Sequence, residues 1–246
     1  MVSRYIVTFC LLSAVASNSL NKIPDFLHVC QRNDPDLNQC IVRSVEELRP
    51  YLRKGIPEMQ VPSIEPLVIP QLIAAQGNGL KVITENLKVF GCGNFTIVNL
   101  NVNLPRNVFN FNIILPHLVL DGRYIIDGKI LLIPIKGKGN MKGHIYNAKA
   151  NVSLSGEIVK REGEDYLHYT KMTIKIKVGS GKLHLDNLFG GSPALGQVIN
   201  TAINANFNSF INELRPIIEQ ALAKFMLESA DKIVSSFTYK ELFPLK

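Results

Sequence analysis

The segment from Ser192 to about Phe237 reads as helix, and its length bears on the shape of the whole molecule. Ser192 suits the cap and Pro193 the first turn. Apolar residues then recur at helical spacing through Leu195, Ile199, Ile203, Phe207, Phe210, Leu214, Ile218 and Phe225. Two rows repeat at intervals of eleven: Ile199, Phe210, Ala221 and Ile203, Leu214, Phe225. That period is about 3.67 residues per turn, so the apolar stripe drifts around the helix. A straight partner could not follow it, whereas a twisted sheet could. Unbroken, the helix would be about 65 Å long. A compact domain of this size has a radius of gyration of only about 17 Å. The molecule is therefore expected to be elongated. Pro216 lacks a backbone donor and crowds the preceding turn, so a kink or division is expected there.

A sheet is available to cover the stripe. From Leu80 to Leu188 the apolar period changes to two, most clearly in Ala148–Leu154 and in Lys171–Val178. Turn residues at Asp121-Gly122, Asp127-Gly128, Gly137–Asn140, Gly163 and Gly179–Gly181 divide this region into an antiparallel meander with one apolar face. Before it, Asp34 and Pro35 read as cap and first turn of a helix whose stripe is Leu37, Ile41, Val45, Leu48 and Leu52, ended by Gly55 and Pro57. Four prolines between Pro57 and Pro70 mark extended coil and an edge strand.

The N-terminus points to secretion. Arg4 precedes an apolar run from Tyr5 to Ala16, and Ala14-Val15-Ala16 fits a small-x-small cleavage site, so residues 1–16 read as a signal peptide. No later segment is long and apolar enough to span a bilayer, so no stable membrane anchor is expected. Cys10 leaves with the signal peptide. Cys30 and Cys40, close in sequence, pair in an oxidising compartment and leave Cys92 as a buried free thiol. Asn94-Phe95-Thr96 and Asn151-Val152-Ser153 are glycosylation sequons; Asn151 alternates onto the polar face, while the glycines beside Asn94 blur its register. The formal charge is +7, but the lysines are dispersed, with no basic helix interleaved with aromatics, which argues against nucleic acid.

Catalytic templates fail. There is no G-x-S-x-G elbow, no H-E-x-x-H and no C-x-x-C. Gly137-Lys138-Gly139 lacks the remainder of a phosphate loop and reads as a turn. His117, His144 and His184 read as surface strand residues, and Glu162, Glu164 and Asp165 as a solvated hairpin tip. No metal site, cofactor or enzyme activity is expected. What remains is the apolar space between helix and sheet. Periodicity alone does not distinguish a filled core from a ligand cavity.

Several segments resemble the insect juvenile-hormone-binding and takeout family of secreted lipid carriers. They are Cys30-x9-Cys40 with its helix; Gly79–Val82 followed by Asn86-Leu87; Gly122–Gly139 with its Tyr124-Ile125-Ile126-Asp127-Gly128 core; and Leu185–Gly191 leading to Asn204-x-Asn206. The resemblance implies an α+β fold over residues 17–246, a long C-terminal helix wrapped by a highly curved antiparallel sheet around an apolar tunnel. It implies a monomer that binds a small hydrophobic ligand such as a fatty acid, an isoprenoid or a juvenile-hormone-like lipid. Blood-borne hormone carriers of the family have a second disulfide and many members have Trp where Phe207 stands, which places this chain nearer the takeout branch. The expected lining is Phe111, Ile113, Leu118, Leu120, Val152, Leu154, Ile174 and Ile176 from the sheet, with Ile199, Ile203, Phe207, Phe210, Leu214, Ile218 and Phe225 from the helix. The rival reading is a secreted interaction module with a filled core, whose basic face meets an acidic partner or a membrane.

Overall fold

A computed structural model describes residues 23–75, 80–130 and 133–245. The expected signal peptide lies outside them. Helix α1 (Leu37–Lys54) is followed by strands β1 (Leu67–Ala75), β2 (Lys81–Phe90), β3 (Thr96–Asn103), β4 (Val108–Ile130), β5 (Ile133–Arg161), β6 (Glu164–Lys177) and β7 (Ser180–Leu185). Helices α2 (Pro193–Ala205), α3 (Phe207–Val234) and α4 (Tyr239–Leu242) complete the chain. The strands form one antiparallel sheet in the order β1-β2-β4-β5-β6, with β3 also pairing to β4 and β7 to β5. It is curved but does not close on itself; α3 packs against β6, β1 and β7 and bridges the gap.

Strands β4 and β5 are 23 and 29 residues long and set the elongation. At about 3.3 Å per residue they reach roughly 75 and 95 Å along their curved paths. Asp121-Gly122, Asp127-Gly128 and Gly137–Asn140, expected as turns, lie inside these strands. The glycines answer close approach instead. A Cβ on Gly122 would sit 2.9 Å from Leu87 Cα, and one on Gly139 would strike the Asp186 carbonyl. True reversals occur at Glu162-Gly163, where both φ angles are positive, and near Gly179.

One seam crosses the sheet. β2 pairs with β4 over Val119–Asp127, and β3 pairs with it over Val108–Ile114. Likewise β7 pairs with β5 over Met141–Tyr146, and β6 over Lys149–Arg161. At the junction Asn147 has φ 53°, beside Pro116, and Gly91 has φ 88°. Core-facing positions change phase there. Leu118 and Leu120 give way to Leu115 on β4, and Met141 and Ile145 give way to Ala148 on β5. The sheet thus has a β7 half and a β6 half whose side chains alternate out of step.

The C-terminal helical segment divides at Asn206 (φ −121°, ψ 33°), ten residues before Pro216, and α3 continues through Pro216. The Asn206 side chain donates to the Ala202 carbonyl at 3.2 Å, beside its own backbone N–H, which reaches the Ala202 and Ile203 carbonyls at 3.2 and 3.3 Å. Pro216 is exposed, so water can reach the carbonyl its missing N–H leaves free. At the other end, α1 starts after Asp36 rather than Asp34; the Asp34 Oδ1 accepts from the Asp36 N–H at 2.8 Å in an Asx turn ahead of the helix.

Candidate ligand-binding interior

The free edge formed by β7 and β6 is closed by side chains of the two helices. Asn200 accepts from the Leu185 N–H and donates to the Leu185 carbonyl, both at 2.9 Å. One turn later Asn204 does the same to Leu183, both at 2.8 Å. Asn208 donates to the Gly179 carbonyl at 3.3 Å. Beyond the seam, carboxylates take over. Glu219, only 6% exposed, accepts from the Ile176 N–H at 2.8 Å and from Lys175 Nζ at 2.9 Å. Asp231 accepts from the Tyr169 N–H at 2.8 Å. The row of polar residues on the helix imitates a missing strand and satisfies backbone groups that an open edge would leave unpaired. The spacing of Asn200, Asn204 and Asn208 at four residues was the sequence signal for this edge closure.

Behind that edge lies an apolar interior in two clusters. The larger joins both helices to the β7 half and contains Ile203, Phe207, Phe210 and Leu214, with Leu118, Leu120, Ile199, Ile218 and Phe225 packed against it in partly buried positions. The smaller joins Leu154 to Phe109, Leu167 and Tyr169 in the β6 half. The remaining sheet residues expected to line the site fall between the clusters on two cross-strand rungs. These are Phe111–Val152–Ile174 and Ile113–Ala150–Ile176. Val152 and Ile174 are buried; Phe111, Ile113 and Ile176 keep accessible surface. Sequence reasoning passed over Tyr124, Ile126, Ile130 and Ile135 of the larger cluster, because it read their glycine-rich surroundings as turns.

Within the expected tunnel, an apolar void of about 40 Å³ is lined by Ile130, Ile135, Ile199, Ala202, Ile203, Asn206 and Phe210. A larger opening of about 720 Å³ lies between β7 and α2, among Lys182, His184, Asp186, Gln197, Thr201 and Asn204. That groove is wide and open, its wall mixes Leu185, Leu188, Pro193 and Ala205 with these polar residues, and His184 Nε2 lies 3.0 Å from Asp186 Oδ1 on it. The smaller void is the more apolar and the less open of the two, the character that suits an apolar ligand. Burial, with Asp186 nearby, pushes the Tyr124 phenol up to about 12, so it remains a donor, to the Asp186 carbonyl at 2.6 Å. The buried Thr84 hydroxyl has no hydrogen-bond partner among the described residues. Thr84 pairs in register with Leu72 and Tyr124, both packed in the large cluster.

The cysteines fall as expected: Cys30 and Cys40 are bonded, and Cys92 is a partly buried free thiol. His28 lies with this pair, but the sulfurs are consumed in the disulfide, so the group is no metal site. His117 and His144 are exposed on the convex face, 3.0 Å apart, and stack with Tyr146.

Comparison with known proteins agrees with this architecture. The haemolymph juvenile hormone binding protein family matches residues 6–244. The chain belongs to that family. Takeout 1 of Epiphyas postvittana shares the fold, with a TM-score of 0.74 at 23% identity, covering 88% of this chain and 99% of that one. The daywake circadian clock-controlled protein of Drosophila melanogaster is 24% identical over 98% of this chain and 96% of its own length. A Schistocerca gregaria protein named for an inferred binding of beta-carotene is 25% identical over 86% of each chain. The family binds lipophilic ligands, and the interior described above is the apolar part of this member that faces both helix and sheet.

Proposed function

We propose that this protein is a secreted, monomeric carrier that binds one small neutral lipid between the helix and the curved sheet, without catalysis. The observation that carries the reading is the composition of the interior. Its walls are apolar from both sides, and the buried charged residue among the described ones is Glu219, whose oxygens are taken up by Ile176 and Lys175. A buried lipid carboxylate would meet no free cation there, and an unpaired buried charge is costly. An alcohol, ester or hydrocarbon meets no such penalty, and Thr84 offers a hydroxyl to an oxygenated one. Binding displaces partly exposed side chains such as Leu118, Leu120, Ile218 and Phe225, and apolar burial supplies about 25 cal/mol per Å². Among the described residues no helix is long and apolar enough to cross a membrane. Asn151 and Asn94 are both exposed, which supports them as glycan acceptors of a secreted chain; Asn94 Oδ1 accepts from Arg53 at 2.7 Å.

Mass spectrometry of an organic extract of the natively secreted protein tests the proposal. One neutral lipid in stoichiometric amount is the expected result. Clean extracts from several sources, together with no uptake of a fluorescent lipid probe, would discard the carrier. Tighter binding of a fatty acid anion than of its methyl ester would discard the neutral-ligand assignment alone.

A further inference from the structure

Helix α2 is unusual for an exposed element. Between Asp186 and Glu213 the sequence has no charged side chain. A helix covering a soluble protein normally presents charge to water. Here Leu195 is 52% exposed and Val198 62% exposed. On a helix of 3.6 residues per turn, Leu195, Val198, Ile199 and Ala202 share an arc of about 100°. Ile199 and Ala202 line the apolar void with Ile203, which is 6% exposed. One stripe therefore runs from the buried interior out onto the surface.

The surroundings of this outlet are basic. Lys129 and Lys136 precede and follow Ile130 and Ile135, the sheet residues of the void, and alternate onto the outer face of the same β4–β5 end. Lys81, Lys129, Lys136 and Lys138 are all exposed at this end of the sheet. Asp127 pairs in register with Lys81 and Lys136 and lies 3.3 Å from the Lys136 ammonium. Four lysines thus face one aspartate. On the β7 side Asp186 lies 3.0 Å from His184, and the exposed Lys182 faces the groove beside α2. An apolar stripe flanked by lysines, continuous with an apolar interior, matches an anionic phospholipid surface. The acyl region accepts Leu195 and Val198, and the headgroups accept the ammonium groups.

We propose that the N-terminal part of α2, with the lysines at the β4–β5 end, docks reversibly on anionic phospholipid bilayers, and that lipid enters or leaves the interior beneath it. The docking does not require the carrier reading to be correct; the passage of ligand does. The experiment uses the full secreted chain with phosphatidylcholine vesicles, with and without phosphatidylserine, and a fluorescent lipid probe. Wild type is expected to sediment with the anionic vesicles and to release from them as salt rises. Leu195→Ser with Val198→Ser should weaken vesicle binding at least about tenfold. Lys129→Gln and Lys138→Gln should each cost about fivefold on anionic vesicles only. Probe affinity without vesicles should stay within about twofold in all variants, and the thermal midpoint should not move, since these side chains are exposed. Probe transfer should accelerate with vesicle concentration in wild type and lose that dependence in the double variant. Absence of wild-type binding to anionic vesicles, or equal binding by the double variant, would overturn the proposal. So would a double variant that instead abolishes self-association of the chain. Failure of the probe to bind any variant, with vesicle binding intact, would remove the carrier and leave the docking surface standing.

Discussion

The β7 half and the β6 half of the sheet close the same free edge with different chemistry. In the β7 half Asn200 and Asn204 each pair both backbone groups of one strand residue. In the β6 half Glu219 and Asp231 accept from N–H groups and draw in Lys175 and His168. A carboxamide finishes an edge residue without introducing charge, whereas a carboxylate brings one, which at Glu219 is met by the Lys175 ammonium at the rim. The halves differ in the same sense at their ends. The β6 half is stoppered: Phe109 contacts Tyr169 edge-on and stacks on Phe243, and Tyr239 and Leu242 pack on the same cluster. The β7 half borders the apolar void. Neutral closure goes with the half that holds the void and ionic closure with the plugged one, a contrast that favours the α2 end for the ligand of the proposed carrier.

The sharpest way to break this comparison is to truncate one large aromatic in each half. Phe210→Ala and Phe109→Ala should each lower stability by about 3–5 kcal/mol, read by denaturant titration. Affinity for a lipid probe, measured where each variant remains folded, should fall only for Phe210→Ala. An equal loss with Phe109→Ala would move the ligand into the β6 half.

The edge caps come next. Asn200→Ala orphans the N–H and carbonyl of Leu185 together and should cost about 2–4 kcal/mol, while Asp231→Ala orphans the Tyr169 N–H and should cost about 1–3 kcal/mol. Hydrogen exchange should localise the damage, with Leu185 losing protection in the first variant and Tyr169 in the second. Uniform loss along the whole edge in both would show that the halves open as one unit.

Much of this arrangement was readable in advance. Drifting apolar spacing from Ile199 to Phe225 identified the inner face of α2 and α3, and strict alternation in Lys171–Val178 identified that of β6. The seam was not readable, because its effect is a change of phase at Pro116 and Asn147 that resembles the end of one strand and the start of another. Glycines misled for a related reason. Gly122 and Gly139 look like turn residues, and only the approach of Leu87 and Asp186 reveals their use. The helical segment divides at Asn206 rather than at Pro216, where an exposed proline leaves its orphaned carbonyl to water. Of the closing asparagines only Asn204 was noted, as part of a family resemblance; Asn200 and Asn208 were passed over, since a carboxamide at helical spacing becomes meaningful once a strand edge lies beside it.

Removing the disulfide probes the stopper. Cys30 and Cys40, separated by 10 residues, tie the N-terminal arm to α1. Arg32 on that arm donates its backbone N–H to the Pro244 carbonyl at 2.8 Å and places its guanidinium over Tyr239. Replacing both cysteines with alanine should cost about 2–3 kcal/mol. Protease cleavage should then appear first in the arm and in the C-terminal residues. Probe affinity should hold if ligand uses the α2 end, and a marked gain in exchange rate would show that the stoppered end can also open.

The smallest expected effect lies at the seam itself, where Cys92 sits beside the turn that separates β2 from β3. Burial, and secondarily the Glu65 carboxylate, pushes its thiol from 9.0 up to about 12. The folded protein therefore keeps this proton in a range where the unfolded chain has lost it. With the unfolded state binding fewer protons, stability declines as pH rises from about 9 toward 12, and the contribution is fully present below that window. Cys92→Ser should flatten the alkaline decline without altering stability near neutrality by more than about 1 kcal/mol. Wild-type Cys92 should also resist alkylation in the folded state, since the thiolate is the reacting species, and should react promptly once the chain is unfolded. Fast alkylation of folded protein near neutral pH would mean that the seam opens often enough to expose the thiol. The two halves would then flex against each other, and the phase change at Pro116 and Asn147 would mark a hinge rather than a fixed bend.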